Sequence, residues 1–355
     1  MQSIQANNYP IYFNEKGYEA LNSFLNESKY SNLFIIVDSN TNEYCLSQFL
    51  PYLATNLTIE IVEFEAGEPN KNIETCVQLW NVLTELGADR KSLVLNLGGG
   101  VVTDLGGFVA STFKRGVDFI HIPTTLLSMV DASVGGKTGV DLGNLKNQVG
   151  VINVPKMVLI DTQYLETLAK EEMRSGLAEM LKHGLIYDKG YWEQFLDLKA
   201  IDFADFDALI YRSVEIKNEI VMQDPTEKSI RKALNFGHTL GHAIESYFLE
   251  NENKKSLLHG EAIAIGMILE SYISLEKNLI TINEYNQIKT TIKSIYDDVI
   301  FEKNDIEPIM ELLKKKKKNE YGNIQFALIE GIGNIKINQS VENELILKAF
   351  QDYKS

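Results

Sequence analysis

The spacing of hydrophobic positions changes character once along this chain, near residue 161. Before that point, short β-branched and aromatic runs stand between helical stretches. LFIIVDSN (33–40), TIEIVEFEAG (58–67), SLVLNLGGG (92–100) and FIHIPTT (119–125) each read as a buried strand ending in turn or anion-binding residues. IETCVQLWNVLTELG (73–87) between them spaces its apolar residues by three and four, which predicts an amphipathic helix. Strands alternating with helices predict an α/β, Rossmann-like domain with a mostly parallel sheet over residues 1–161, its ligands at the carboxyl ends of the strands.

From residue 162 to 355 the strand pattern nearly vanishes and a mainly α-helical domain is expected. Long helical patterns cover LETLAKEEMRSGLAEMLKHGL (165–185), DALIYRSVEIKNEIVMQD (207–224), RKALNFGHTLGH (231–242) and GEAIAIGMILESYISLE (260–276). Near the end, GNIQFALIEGIGNIKI (322–337) reads as a β-hairpin and VENELILKAFQDY (341–353) as a closing helix.

Composition narrows the classes of function. A 355-residue chain with 45% hydrophobic residues can fill two cores. The formal net charge of −15 argues against nucleic acid and anionic membranes as partners. Small anionic substrates stay compatible, because a local cluster of Lys and Arg can reverse the potential in a cleft. Neither a secretory leader nor an apolar run of membrane-spanning length is visible, so a cytoplasmic protein is expected. The two cysteines, Cys45 and Cys76, have no framework spacing and fit a reducing compartment. The one low-complexity stretch is Lys314 to Lys318.

The most informative segment is RKALNFGHTLGH. If it is one helix, Arg231, Asn235, His238 and His242 fall within roughly 60° of one another at about 100° per residue. That stripe of nitrogen donors and ligands lies where an apolar face belongs, and a metal and an anionic ligand are the simplest partners that repay its desolvation. SGLAEMLKHG adds Glu179, with Lys182 and His183 three and four residues on; LLHGEAIAIGM adds His259 at an apparent helix start. Glu179, His238 and His259 would make a three-ligand set with an open fourth position, as in catalytic rather than structural zinc sites. His121, inside a strand pattern, keeps a structural reading.

NLGGGVVTDLGGF leads from a strand into a helix, where glycines let backbone N–H groups approach a pyrophosphate at the helix's positive end. It departs from the dinucleotide fingerprint, since the third glycine position counted from Gly98 is Thr103. The GGKT of residues 135–138 is not a nucleoside-triphosphate loop, because Asp131 stands where its first glycine belongs. Lys137 is nonetheless expected in a glycine-rich loop suited to an anion. Asp38, closing a strand, is placed either to accept from ribose hydroxyls or to form a turn.

Taken together, GGGVVTDLGGFVAS, KRGVDFIHIPTTLLSMVDASVGGKTGV, SGLAEMLKHG and RKALNFGHTLGHAIE resemble the 3-dehydroquinate synthases, within the sugar phosphate cyclases, in order over nearly the whole chain. The resemblance implies an NAD- and zinc- (or cobalt-) dependent lyase of the shikimate pathway. It would convert 3-deoxy-D-arabino-heptulosonate 7-phosphate to 3-dehydroquinate and phosphate, with Glu179, His238 and His259 on the metal. It implies NAD contacts from Asp38, Asn40, Glu68, Lys71, Gly99, Gly100, Asp104, Thr124, Thr125, Lys137, Lys146 and the segment Tyr164, Leu165, Glu166, Thr167. For the substrate it implies Arg115, Asp131, Lys137, Asn147, Lys182, Lys217, Arg231, Asn235 and His242. Proton-accepting positions match Glu227 and His242, and Lys137, Lys182 and Lys217 join them as catalytic candidates. The chain departs from the family's Asp-Lys-Lys before the final hairpin, having Lys316, Lys317 and Lys318 there.

This chemistry makes sense of the residue types. Phosphate leaves an unactivated carbon poorly, and transient oxidation of the C5 hydroxyl acidifies the neighbouring C6 hydrogen. Returning the hydride, opening the ring and closing an aldol bond complete the cycle without net redox change. Among the cations, an arginine matches a planar carboxylate with two donors, so Arg231 is the expected carboxylate clamp. The family also suggests a homodimer. Two rivals share parts of the pattern, a sister cyclase acting on another sugar phosphate and a glycerol-dehydrogenase-like NAD-dependent oxidoreductase.

Overall fold

Three of the four β-branched runs lie inside a seven-stranded sheet; the fourth, TIEIVEF, forms an edge strand and is only partly buried rather than buried throughout. The computed structural model describes residues 1–143, 145–197, 203–316 and 324–354, in two compact units, Met1–Ala169 and Lys170–Ser355. In the first, strands β1 (Ile4–Ala6), β2 (Tyr9–Phe13), β3 (Asn32–Asp38), β4 (Thr58–Phe64), β5 (Leu93–Gly98), β6 (Asp118–Pro123) and β9 (Val158–Ile160) take the order β1-β2-β9-β6-β5-β3-β4. All neighbours pair in parallel except β1 with β2. The chain steps outward from β3 to β4 and then returns to the other side of β3 for β5. The carboxyl ends of β3 and β5 therefore flank a topological switch point, where open α/β sheets bind ligands.

Helices α1 (Asn14–Glu27), α2 (Ile73–Glu85) and α3 (Gly100–Thr112) complete this unit. Phe34, Ile36, Val62 and Val94 from the sheet bury against Cys76, Leu79 and Leu83 of α2 and Leu105 and Val109 of α3. One element departs from expectation. Lys137 opens strand β7 (Lys137–Leu142), hairpinned to β8 (Leu145–Ile152), rather than sitting in a loop. The glycines of GGKTGV and the polar residues of β8 hide the strand pattern from periodicity alone.

The second unit is built on α4 (Lys170–Tyr187), α5 (Phe203–Gln223), α6 (His238–Glu250), α7 (His259–Glu276), α8 (Ile282–Ile295), α9 (Lys303–Lys316) and α10 (Asn343–Tyr353), with a hairpin of β10 (Gln325–Ile329) and β11 (Ile335–Ser340). Helix α7 is the central member, buried on nearly every side and packed on α4, α6, α8 and α10. Among the described residues, no helix is long and apolar enough to cross a membrane.

Two helix expectations are corrected. Helix α4 starts at Lys170 rather than Leu165, because Thr162–Thr167 form a 3₁₀ turn whose start is capped by the Asp161 side chain. RKALNFGHTLGH is not one helix: Ile230–Asn235 is a 3₁₀ turn, Phe236 leaves helical geometry with ψ 132°, and Gly237 takes a left-handed φ of 76° before α6 begins at His238. The break lets α6 start in contact with α7. Only His238 and His242, four residues apart, then share one helical face; Arg231 and Asn235 come from the preceding turn.

Candidate active site

Two backbone contacts set the dimensions of a histidine and carboxylate cluster in the second unit. A Cβ on Gly260 would lie 2.6 Å from the carbonyl carbon of Ser175, so the start of α7 rests directly on the backbone of α4. Gly260 N–H also donates to Ser175 Oγ at 2.9 Å. On α4, Glu179 lies one turn beyond Ser175, so the contact brings Glu179 beside His259. Where α6 crosses α7, a Cβ on Gly266 would come within 2.9 Å of Gly237 C and Gly241 N. That approach carries His238 to the same place.

Glu179 is fully buried, and its Oε2 accepts an ion pair from the equally buried Lys182. Its Oε1 has no hydrogen-bond partner among the described residues and lies 3.4 Å from His238 Nε2 and 3.6 Å from His259 Nε2. Phe236 O can only accept, so His238 Nδ1, 3.0 Å away, must carry the proton, and neutral His238 turns a lone pair toward Glu179. His259 Nδ1 faces Glu245 Oε2 at 3.5 Å. Converging lone pairs in a buried place need a cation between them. Metal bonds of about 2.0–2.1 Å at tetrahedral angles separate ligand atoms by about 3.3–3.4 Å, close to both observed edges. The His242 ring lies 5.0 Å from His238 and 5.7 Å from His259, at the side of the cluster.

At Glu179 and His238 the electrostatics agree with this geometry, whereas His259 holds a proton that an entering ion must displace. Burial pushes the Glu179 carboxyl up, but Lys182 and then His238 outweigh it and hold it well below the usual carboxylate range. Burial and Lys182 push His238 down, which favours its neutral, ligating form. Burial pulls His259 down too, but Glu245 and Glu179 outweigh it and lift it to about 9. Glu179, His238 and His259 could thus hold a divalent ion, with His242 as a fourth group in reach.

Beside this cluster, the turn before α6 is organised by Asp224. Its carboxylate accepts from the amides of Ser229 at 2.6 Å, Lys228 at 3.0 Å and Arg231 at 3.1 Å. Burial opposes these bonds and loses, so the carboxyl falls to about 2. Arg231 is buried and donates to Pro225 O at 2.7 Å. Asn235 donates to Glu227 Oε1 at 2.8 Å, and Glu227 has a left-handed φ of 59°, strained for a residue with a side chain. Lys217 on α5 is buried as well. Lys314 is exposed, while Lys317 and Lys318 lie outside the described residues.

In the first unit, Gly99 and Gly100 open α3 at the end of β5, and Thr124 N–H bonds Gly98 O at 3.0 Å from the end of β6. Asp38, across the switch point, uses Oδ1 to cap the turn at Thr41, with Asn40 exposed beside it. Buried Lys71 binds Asp104 at 2.6 Å and Asn147 at 2.7 Å, and Lys146 pairs with Glu68 at 3.0 Å. Burial would lower Lys71, but Asp104 and Glu68 keep it above its ordinary value, so it stays a cation. Thr125 accepts from Ser128 N–H at 3.2 Å, and half-buried Asp131 lies in the same turn. The Tyr164 hydroxyl joins Tyr18, which donates to Asp161; Leu165, Glu166 and Thr167 continue that turn outward.

Arg115 stands apart. It follows the carboxyl end of α3, a 13-residue helix about 20 Å long, whereas Gly99 and Gly100 are at the other end. His121 is structural: it is buried beside Asn96, and desolvation pushes it down to about 3. Sequence reasoning missed Glu245 and Glu270. Glu245 falls seven residues after His238, on the same face of α6, which periodicity could have shown.

The chain matches the family described as 3-dehydroquinate synthase N-terminal over residues 61–175 and that described as 3-dehydroquinate synthase C-terminal over residues 176–319. It is 42% identical to a 3-dehydroquinate synthase of Parabacteroides distasonis, covering 94% of each chain. It is 38% identical to one of Helicobacter pylori, covering 96% of this chain and 97% of the other. Among solved structures, it is similar to 2-epi-5-epi-valiolone synthase of Streptomyces hygroscopicus with NAD+ and Zn2+ bound, with TM-score 0.87, 26% identity and coverage of 100% and 99%. A 2-deoxy-scyllo-inosose synthase complexed with carbaglucose-6-phosphate, NAD+ and Co2+ gives 0.87 at 25% identity, over 99% of each chain. A probable glycerol dehydrogenase of Sinorhizobium meliloti, at 0.61 and 14% identity, shares the fold alone. With family matches across both units and a relative of this identity over almost its full length, the chain belongs to the 3-dehydroquinate synthase family.

Proposed function

We propose that this protein eliminates phosphate from 3-deoxy-D-arabino-heptulosonate 7-phosphate and cyclises the product to 3-dehydroquinate. The observation that carries the site is the buried Glu179 Oε1 aimed at two imidazole nitrogens beside a buried lysine. When bound, NAD+ would accept a hydride from C5 and later return it, and a zinc or cobalt ion at Glu179, His238 and His259 would supply Lewis acidity toward the substrate hydroxyls.

The protein's own groups do the remaining work. Lys182 holds Glu179 ionised and adds positive charge beside the substrate oxygens. His242, on the same face of α6 as His238, is placed to accept the C5 hydroxyl proton. Glu227, steered by Asn235, serves as a second proton acceptor. Arg231, fixed through Asp224 and Pro225, clamps the carboxylate, and buried Lys217 of the same unit adds a second cation. Lys71, tied to Asp104 and Asn147, holds the approach to Gly99 and Gly100, where the pyrophosphate of NAD would meet the start of α3. In this reading the protein is a cytoplasmic homodimer. Arg115, remote from the glycine turn of its own chain, would reach a substrate bound by the second copy.

Phosphate release with catalytic NAD, followed beside absorbance at 340 nm before and after chelation, tests the proposal. Metal- and NAD-dependent phosphate without NADH build-up is expected. Steady NADH from a simple alcohol would instead favour a dehydrogenase. Turnover of a sugar phosphate lacking a carboxylate, at a rate insensitive to Arg231→Ala, would favour a sister cyclase.

A further inference from the structure

Helix α6 begins without a local cap. Its N-cap is Gly237, which has no side chain to satisfy the first amides of the helix. Those amides are met from another helix: Gly237 N–H donates to Glu270 Oε2 at 2.8 Å and Leu240 N–H to Glu270 Oε1 at 3.0 Å. Glu270 is fully buried, as are its neighbours along α7, Met267, Leu269 and Ile273. A carboxylate in such surroundings is costly unless charge and hydrogen bonds compensate it. The two amides and the positive end of α6 do so, and both carboxylate oxygens are used.

Two relationships link this capping bond to the metal candidates. Glu270 lies eleven residues, about three turns, beyond His259, so one face of α7 carries both the ligand and the clamp. Gly237 lies between Phe236, whose carbonyl fixes the His238 imidazole through Nδ1, and His238 itself. Holding the Gly237 amide therefore holds the carbonyl that orients His238 relative to His259 on α7. We infer that Glu270 is a positioning residue for the metal site, registering the His238-bearing start of α6 against the helix that carries His259. The inference rests on the metal-site reading given above.

The test uses the full-length protein stripped of metal and titrated with Co2+ against a competing chelator, read by visible ligand-field absorption. Apo thermal unfolding is followed in parallel. Glu270→Gln keeps the shape but turns one acceptor into a donor facing an amide; Glu270→Asp keeps the charge but shortens the reach. Either variant that folds is expected to bind Co2+ about 10- to 100-fold more weakly, with altered absorption bands. Ser274→Ala, which removes a hydroxyl bonded to Glu270 O on the same helix, is expected to bind as the unaltered protein does.

Unaltered affinity and spectrum in a folded Glu270 variant would overturn the inference, even if its apo form melts earlier. So would failure of both variants to fold while Ser274→Ala folds, since Glu270 would then serve folding rather than the site. The site reading fails separately if His238→Ala and Glu179→Ala bind Co2+ as tightly as the unaltered protein. Absence of Co2+ binding by the unaltered protein would remove both.

Discussion

Replacing Gly260 by alanine is the sharpest test of how the cluster is built. The added methyl would stand 2.6 Å from the Ser175 carbonyl carbon, whereas ordinary contacts begin near 3.4 Å. The three nearest atoms all belong to the Ser175 backbone, so no side chain can swing away, and the start of α7 must retreat by about 1 Å. His259 retreats with it. Its Nε2 now lies 3.6 Å from Glu179 Oε1, and the shift would open that edge to roughly 4.5 Å against the 3.3–3.4 Å of a tetrahedral site. No single ion position then serves both ligands. Overpacking of this kind typically costs about 1–3 kcal/mol of stability, which a domain of this size should survive. Zinc affinity is expected to fall at least about 100-fold, the upper end of the loss seen when an outer-shell partner is removed. Chelator competition measures it, and phosphate release at saturating zinc shows whether a loaded but distorted site still turns over. A Gly260→Ala protein with unaltered zinc affinity and turnover would refute the claim that this contact sets the site.

Glu245→Ala should weaken zinc binding about 10- to 100-fold by freeing the His259 ring, measured by the same competition; an unchanged constant would make Glu245 a packing residue. Lys182→Met leaves a buried carboxylate without its cation, a change that typically costs about 3–5 kcal/mol. Urea unfolding in chelator should show the loss and added zinc should restore part of it, so a deficit indifferent to zinc would count against an ion at Glu179. For Asp224 the folded carboxyl, at about 2, lies below its unfolded value of 3.8. Its stabilisation is therefore fully present above pH 4 and disappears as pH falls toward 2. Asp224→Asn should be less stable than the unaltered protein at pH 7, with the gap in urea midpoints closing between pH 4 and 2; a gap constant across that range would refute the assignment.

Much of this arrangement was legible in the residues. The β-branched runs ending in Asp38, Gly98 and Pro123 are strands because both faces of a parallel sheet are buried and apolar side chains predominate there, with Asn96 and His121 admitted as a hydrogen-bonded pair. His259 could be read as a helix start, whereas the close approach at its neighbour Gly260 depends on a helix remote in sequence. The break at Gly237 could not, because RKALNFGHTLGH satisfies helical periodicity throughout. What ends the continuity is an acceptor 33 residues away, Glu270, which makes it favourable to start a new helix at His238. The β7–β8 hairpin escaped for a related reason. Its glycines carry no apolar signal, and the flanking elements that hold the strands are remote in sequence.

The contacts through Gly260 and Gly266 join helix backbones, not flexible side chains. Rotamer changes cannot loosen them, so the entropy of ordering the ligand shell is met when the helices assemble rather than when an ion arrives. An ion entering such a shell gains little by moulding the protein and finds its affinity set by bond geometry. The site should therefore discriminate among divalent ions by coordination preference, and should load and unload without the surrounding helices melting.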